Sequence, residues 1–132
     1  MNISRIFLLF FFQITAFSAS AQKIVAAGQP AQLDIRAAGD QSIRITLKPI
    51  SFKEKYPYTP AVVDKTYSSP VISLRQIAAP VKKKVGALNV EVLPSPLTIV
   101  VTNAKGESVQ KLIFGDDGNL SFQLNDQPVL GM

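Results

Sequence analysis

The stretch ALNVEVLPSPLTIVVTNAKGESVQKL, Ala87 to Leu112, decides the fold class. Apolar and polar residues alternate from Leu88 to Val92 and, after a break at two prolines, from Leu97 to Thr102. A period of two is typical of a strand that buries one face and wets the other. Asn103 to Gly106 then forms a predicted hairpin turn, in which glycine is free to adopt positive φ. The stretch therefore predicts neighbouring antiparallel strands.

The same pattern extends through the rest of the chain. Regular alternation occurs at Leu33–Ala37, Ile43–Lys48 and Leu120–Leu124, and less regular strand-like runs occur at Val71–Leu74 and Val109–Phe114. With the two strands above, this gives about seven strands. Turns are expected at Ala38–Asp40 and at Gly115–Asn119, and no segment after residue 21 has a sustained helical period. The sequence predicts an all-β fold, either an antiparallel sandwich or a barrel.

The first 21 residues have the features of a secretion signal. Arg5 precedes a 12-residue run, Ile6 to Phe17, that is mostly apolar, and Ala19-Ser20-Ala21 fits a signal-peptidase site. A membrane-spanning helix needs ~20 residues, so a retained anchor is the less favoured alternative. We expect cleavage before Gln22, export to the periplasm or the extracellular space, and no membrane association afterwards.

Composition excludes several functions. The chain of 132 residues has no cysteine and no histidine, which excludes disulfides, histidine-based catalytic triads and the commonest zinc sites. Its net charge of +5 is spread along the sequence apart from Lys82-Lys83-Lys84, so no nucleic-acid partner is expected. Those lysines are interpreted as a solvated strand edge.

Few residues qualify as a site. Asp116-Asp117 lacks the spacing of a calcium loop and suits a tight turn, so we predict no metal and no cofactor. No pair of carboxylates stands out for glycoside hydrolysis, and no catalytic residue is predicted. Tyr56, Tyr58 and Tyr67 lie in a long proline-rich loop predicted from Pro49 to Pro70. They suit either a sugar-stacking platform or packing of that loop onto a sheet.

The order of segments resembles a known family. SIRITLKPISF (Ser42 to Phe52), the Ala87–Leu112 stretch and LSFQLNDQPVLGM (Leu120 to Met132) are similar to the N-terminal domain of family 31 glycoside hydrolases, the α-glucosidase and α-xylosidase group. The resemblance covers roughly residues 29–132. It implies a galactose-mutarotase-like β-sandwich that precedes a catalytic (β/α)8 barrel.

The resemblance carries consequences for function. The family's catalytic aspartates lie on the barrel, and no part of this chain matches their motifs. Residues 22–132 would thus be a non-catalytic domain, incomplete at its C-terminal end. Its expected partners are the catalytic barrel of the parent chain and an oligosaccharide. The domain would pack on the barrel and help to form the rim of the pocket that binds the oligosaccharide. The alternative is a self-standing secreted β-sandwich that binds glycan or protein.

Overall fold

The structure, a computed structural model, describes residues 20–53 and 66–124, together with the backbone of residues 127–131. Apart from its last two residues, the predicted signal at 1–21 lies outside this part of the chain, as do Tyr56 and Tyr58. The described residues contain strands and turns but no helix, and therefore no helix able to cross a membrane.

Twelve strands are present in the described ranges. They are β1 (Gln22–Lys23), β2 (Val25–Ala26), β3 (Gln29–Gly39), β4 (Ser42–Pro49), β5 (Ile72–Leu74), β6 (Gln76–Ile77), β7 (Val81–Val85), β8 (Leu88–Leu93), β9 (Leu97–Thr102), β10 (Ser108–Phe114), β11 (Leu120–Leu124) and β12 (Gln127–Gly131). All seven segments predicted from the alternation are strands. The other five were not predicted.

The strands form three antiparallel sheets. Strands β7 to β12 make a six-stranded meander in chain order, so that β7 and β12 are its edges. Strands β2, β3 and β4 pair in order, and β5 pairs with β3 on the side away from β4. The short strands β1 and β6 pair with each other. The fold class predicted from the sequence, an all-β antiparallel sandwich, is confirmed.

The core lies between the four-stranded and six-stranded sheets. The smaller sheet contributes Ala31, Leu33 and Ile35 of β3 and Ile72 of β5. From the larger sheet come one valine of β7, two of β8, and three residues of β9: Val85, Val90, Val92, Leu97, Ile99 and Val101. Burying one valine, leucine or isoleucine side chain stabilises the fold by ~1.5–3 kcal/mol. The alternating strands therefore supply the main driving force for folding.

Two turns have the predicted conformation. In the β9–β10 hairpin, Gly106 has φ +84°, and the Asn103 Oδ1 accepts hydrogen bonds from the backbone N–H of Lys105 (2.9 Å) and Glu107 (3.0 Å). The turn at Gly115–Asn119 closes with a 2.9 Å hydrogen bond from Gly115 N–H to Asn119 C=O. Both positions thus connect adjacent strands tightly.

The three consecutive lysines lie within β7, at one edge of the six-stranded sheet, and all three are exposed. The predicted solvated edge is therefore confirmed, although the lysines form the strand itself. Lys83 occupies the same face as Val81 and Val85, so a charge sits at a core-facing position of the edge. Such a charge opposes pairing with another sheet.

Candidate functional site

The outer face of the four-stranded sheet carries a polar network centred on Asp34. Alternation along β3 places Gln32, Asp34 and Arg36 on this face, and the register sets Asp34 beside Ser73 of β5. The alternating pattern predicts that the side chains on this face are exposed to solvent. For Asp34 that prediction is wrong, because its exposed fraction is only 4%. Asp34 lies on the central strand, with β4 and β5 on either side.

The carboxylate of Asp34 is held by several donors. Ser73 Oγ donates to Oδ1 at 2.7 Å, and Gln32 Nε2 donates to Oδ1 at 2.9 Å and to Oδ2 at 3.2 Å. Arg36 Nη2 lies 3.6 Å from Oδ2. A buried carboxylate needs such partners, because an unpaired buried charge is strongly unfavourable.

Three arginines lie on or beside this face, and we call Arg36, Arg44 and Arg75 the arginine cluster. Arg36 on β3 and Arg44 on β4 are direct cross-strand partners. Arg75 follows β5, and its Nε donates to Gln32 Oε1 at 2.9 Å. Opposite residues in an antiparallel pair have Cβ atoms ~4.5–5.5 Å apart, so the side chains of Arg36 and Arg44 start from adjacent positions on this face.

Arg36 is incompletely satisfied. Its side chain is 25% exposed, yet its Nε atom is buried and has no hydrogen-bond partner. Buried polar atoms are normally paired, so an unpaired one within a charged cluster calls for an explanation.

Tyr67 is the one predicted sugar-contact residue that the structure describes. It lies at this face, with the guanidinium carbon of Arg44 4.5 Å from its ring centroid. This cation–π contact covers one face of the ring. Tyr56 and Tyr58 lie outside the described residues, so a platform of three tyrosines stays a prediction.

Sequence reasoning missed the arginine cluster and the role of Asp34. The available signal was the charged residues between the apolar positions of β3 and β4, but alternation shows only that they share a face. Their connection to Ser73 and Arg75 depends on the pairing of β5 with β3, across about 40 residues of chain.

A second feature is a gap between the two sheets, which we call the inter-sheet cleft. It is a cavity of about 220 Å³ lined by Val25, Leu47, Phe114 and Leu120 among others. Leu47 belongs to the edge strand β4, and Phe114 and Leu120 to β10 and β11. These core-facing side chains are only half-buried, unlike those of β3 and β9.

The side chain of Asp117 forms hydrogen bonds within the Gly115–Asn119 turn. Asp117 Oδ1 accepts from the Asn119 backbone N–H at 3.0 Å, and Asp117 Oδ2 from the Asn119 side chain at 2.5 Å. These hydrogen bonds, the backbone one first, lower the pKa of Asp117 below its ordinary value of 3.8. No group of three or more metal-ligating acidic residues occurs within the described ranges.

Comparison of the chain with protein-family models, curated proteins and solved structures found no match. The resemblance to family 31 glycoside hydrolases therefore stays a prediction from the sequence.

Proposed function

We propose that this chain is the non-catalytic N-terminal β-sandwich of an exported α-glycosidase similar to family 31. In this proposal it packs on a catalytic barrel and contributes to the rim of the carbohydrate pocket. Support comes from the resemblance of three segments and from an all-β fold of the expected class. The observation that carries the proposal is the inter-sheet cleft.

The cleft matters because it exposes apolar surface that a closed sandwich would bury. Val25 is 50% exposed at its mouth, and Leu47 and Phe114 line its walls. Contiguous apolar patches of more than a few hundred Å² mark interaction surfaces, and in this proposal the cleft is one part of such a patch. A domain that is completed by further protein would leave such a surface when observed alone, whereas a self-standing module has no need of it.

The decisive test is the coding sequence downstream of the Met132 codon. We expect the frame to continue through a glycine-rich stretch into alternating β and α segments that form a barrel. A stop codon at that position would refute the proposal.

A solution measurement tests the cleft itself. The chain is expected to bind an apolar fluorescent dye, and Val25→Ser should reduce that binding by removing a cleft-lining side chain. Val109→Ser is the matched control, because Val109 is 54% exposed and is not among the cleft-lining residues. Equal effects of the two substitutions would contradict a role for the cleft.

The alternative, a self-standing secreted sandwich that binds glycan or protein, is favoured by the polar outer face with Tyr67. It predicts a soluble monomer without dye binding at the cleft. Sedimentation of residues 22–132 together with the dye measurement separates the two functions.

A further inference from the structure

Within the part of the chain that the structure describes, the arginine cluster carries three positive charges and has one neighbouring carboxylate, that of Asp34. Of the three guanidinium groups, only that of Arg36 is within ion-pair distance of Asp34, at 3.6 Å, while Arg44 contacts Tyr67 and Arg75 contacts Gln32. Like charges directly opposite each other in a sheet are destabilising, as at Arg36 and Arg44. Among the described contacts no second carboxylate reaches the cluster. A bound anion would remove this repulsion.

The geometry suits an oxyanion. The guanidinium carbon of Arg44 lies 4.5 Å from the centroid of the Tyr67 ring, and a cation–π contact does not by itself use the N–H groups as hydrogen-bond donors. The planar fork of arginine matches carboxylate and sulfate groups with two parallel hydrogen bonds. The buried Nε of Arg36 has no hydrogen-bond partner, so the protein does not satisfy this guanidinium completely.

The surroundings add groups that recognise sugar hydroxyls. Ser73, next to the cluster, and Arg75, one of its members, are both exposed and contact the half-buried Gln32. A sugar ring bears several hydroxyl groups, each of which can donate and accept hydrogen bonds. The hydroxyl, amide and guanidinium groups at this place supply the matching donors and acceptors. Tyr67 adds an aromatic side chain at the opposite border, next to Arg44.

We propose that the arginine cluster is a binding site for a carboxylate or sulfate group carried by an acidic saccharide. The site lies on the outer face of the four-stranded sheet, whereas the inter-sheet cleft lies between the sheets. This binding site is a function in addition to the proposed packing on a barrel, and the proposal of the site does not depend on that packing.

The test is calorimetric titration of the full chain with four probes: trigalacturonate, a sulfated trisaccharide, neutral maltotriose and tetraglutamate. We expect binding of one or both acidic saccharides, which identifies the anionic group, and none of maltotriose. Raising the salt concentration should weaken binding. Absence of binding of both acidic saccharides, or equal affinity for tetraglutamate or maltotriose, would overturn the proposal.

Substitutions locate the site. Arg44→Gln should weaken binding about tenfold, as expected for the loss of charge-assisted hydrogen bonds. Arg44→Lys keeps the charge without the fork and should lose less. Lys105→Gln is the matched control, since it removes one charge from the exposed β9–β10 turn and should leave binding unchanged. Equal losses in Arg44→Gln and Lys105→Gln would show general charge attraction and overturn the proposal.

Two measurements keep the result interpretable. Circular dichroism checks that each variant is folded, and Arg75→Gln, at an exposed position, replaces Arg44→Gln if the latter does not fold. Val25→Ser should leave saccharide binding intact, so failure of the cleft proposal and failure of this one are separable. Loss of binding in Val25→Ser would contradict a site on the outer face.

Discussion

Replacing Asp34 with alanine should destabilise the protein far more than an ordinary surface substitution. The change deletes a carboxylate that accepts hydrogen bonds from Ser73 and Gln32 and lies 3.6 Å from Arg36. Removing one partner of a buried ion pair costs ~3–5 kcal/mol, because the remaining charge stays desolvated. Since the Arg36 side chain is 25% exposed and can reach water, we expect the lower end, ~3 kcal/mol.

Urea unfolding followed by circular dichroism measures this loss. With a slope of ~1.5 kcal/mol per molar urea, a loss of ~3 kcal/mol lowers the midpoint by ~2 M. The matched control is Asp116→Ala, the same substitution at an exposed turn position, which should change stability by less than ~0.5 kcal/mol. Comparable losses in the two variants would refute a structural role for the network. Arg36→Gln in the Asp34→Ala background should cost less than in wild type, because the two residues interact.

Three other substitutions probe the core, the acidic turn and the sheet edge. Ile99→Ala should cost ~2–5 kcal/mol in urea unfolding, since Ile99 is fully buried, while Ile50→Ala, at a residue 47% exposed, should cost little; similar values would contradict the assigned core. Asn119→Ala should raise the pKa of Asp117 part of the way to its ordinary value, as measured by NMR titration, because the side-chain hydrogen bond is lost and the backbone one remains. The lowered pKa means that these hydrogen bonds stabilise the fold above the unfolded pKa and that this contribution is lost as the pH falls through the folded pKa; an unchanged pKa in Asn119→Ala would contradict the cause. Lys83→Val should promote self-association, detected by light scattering, because it removes the charge at a core-facing edge position, whereas Lys84→Val, on the other face, should do so less; the reverse order would refute this reasoning.

The sequence was sufficient to predict the long strands, because their side chains record burial directly. Leu33 and Ile35, or Val90 and Val92, face the core at every second position, and no other regular structure has that period. Strands β1, β2 and β6 have two residues each, too few for a period. Strand β7 was missed because Lys82, Lys83 and Lys84 give it no alternation.

The candidate site was harder to predict because it depends on contacts between distant segments. Tyr67 was singled out as an aromatic residue in the predicted proline-rich loop, but its neighbour Arg44 is 23 positions earlier in the sequence. Asp34 was assigned to the wet face of its strand. Its burial follows from its position on a central strand between β4 and β5, and that arrangement cannot be read from alternation alone.

The polar network and the core constrain the same strand from opposite faces. Because side chains alternate, a slip of β3 by one residue would turn Asp34 and Arg36 into the core and Leu33 and Ile35 outward. Burying two charges without their partners costs several kcal/mol each, in addition to the lost apolar burial. The charged residues of the candidate site thus also specify the register of β3. A variant that replaced Asp34 and Arg36 with apolar residues would remove this constraint, so it should lose the saccharide site and, at the same time, the penalty that opposes the slipped register.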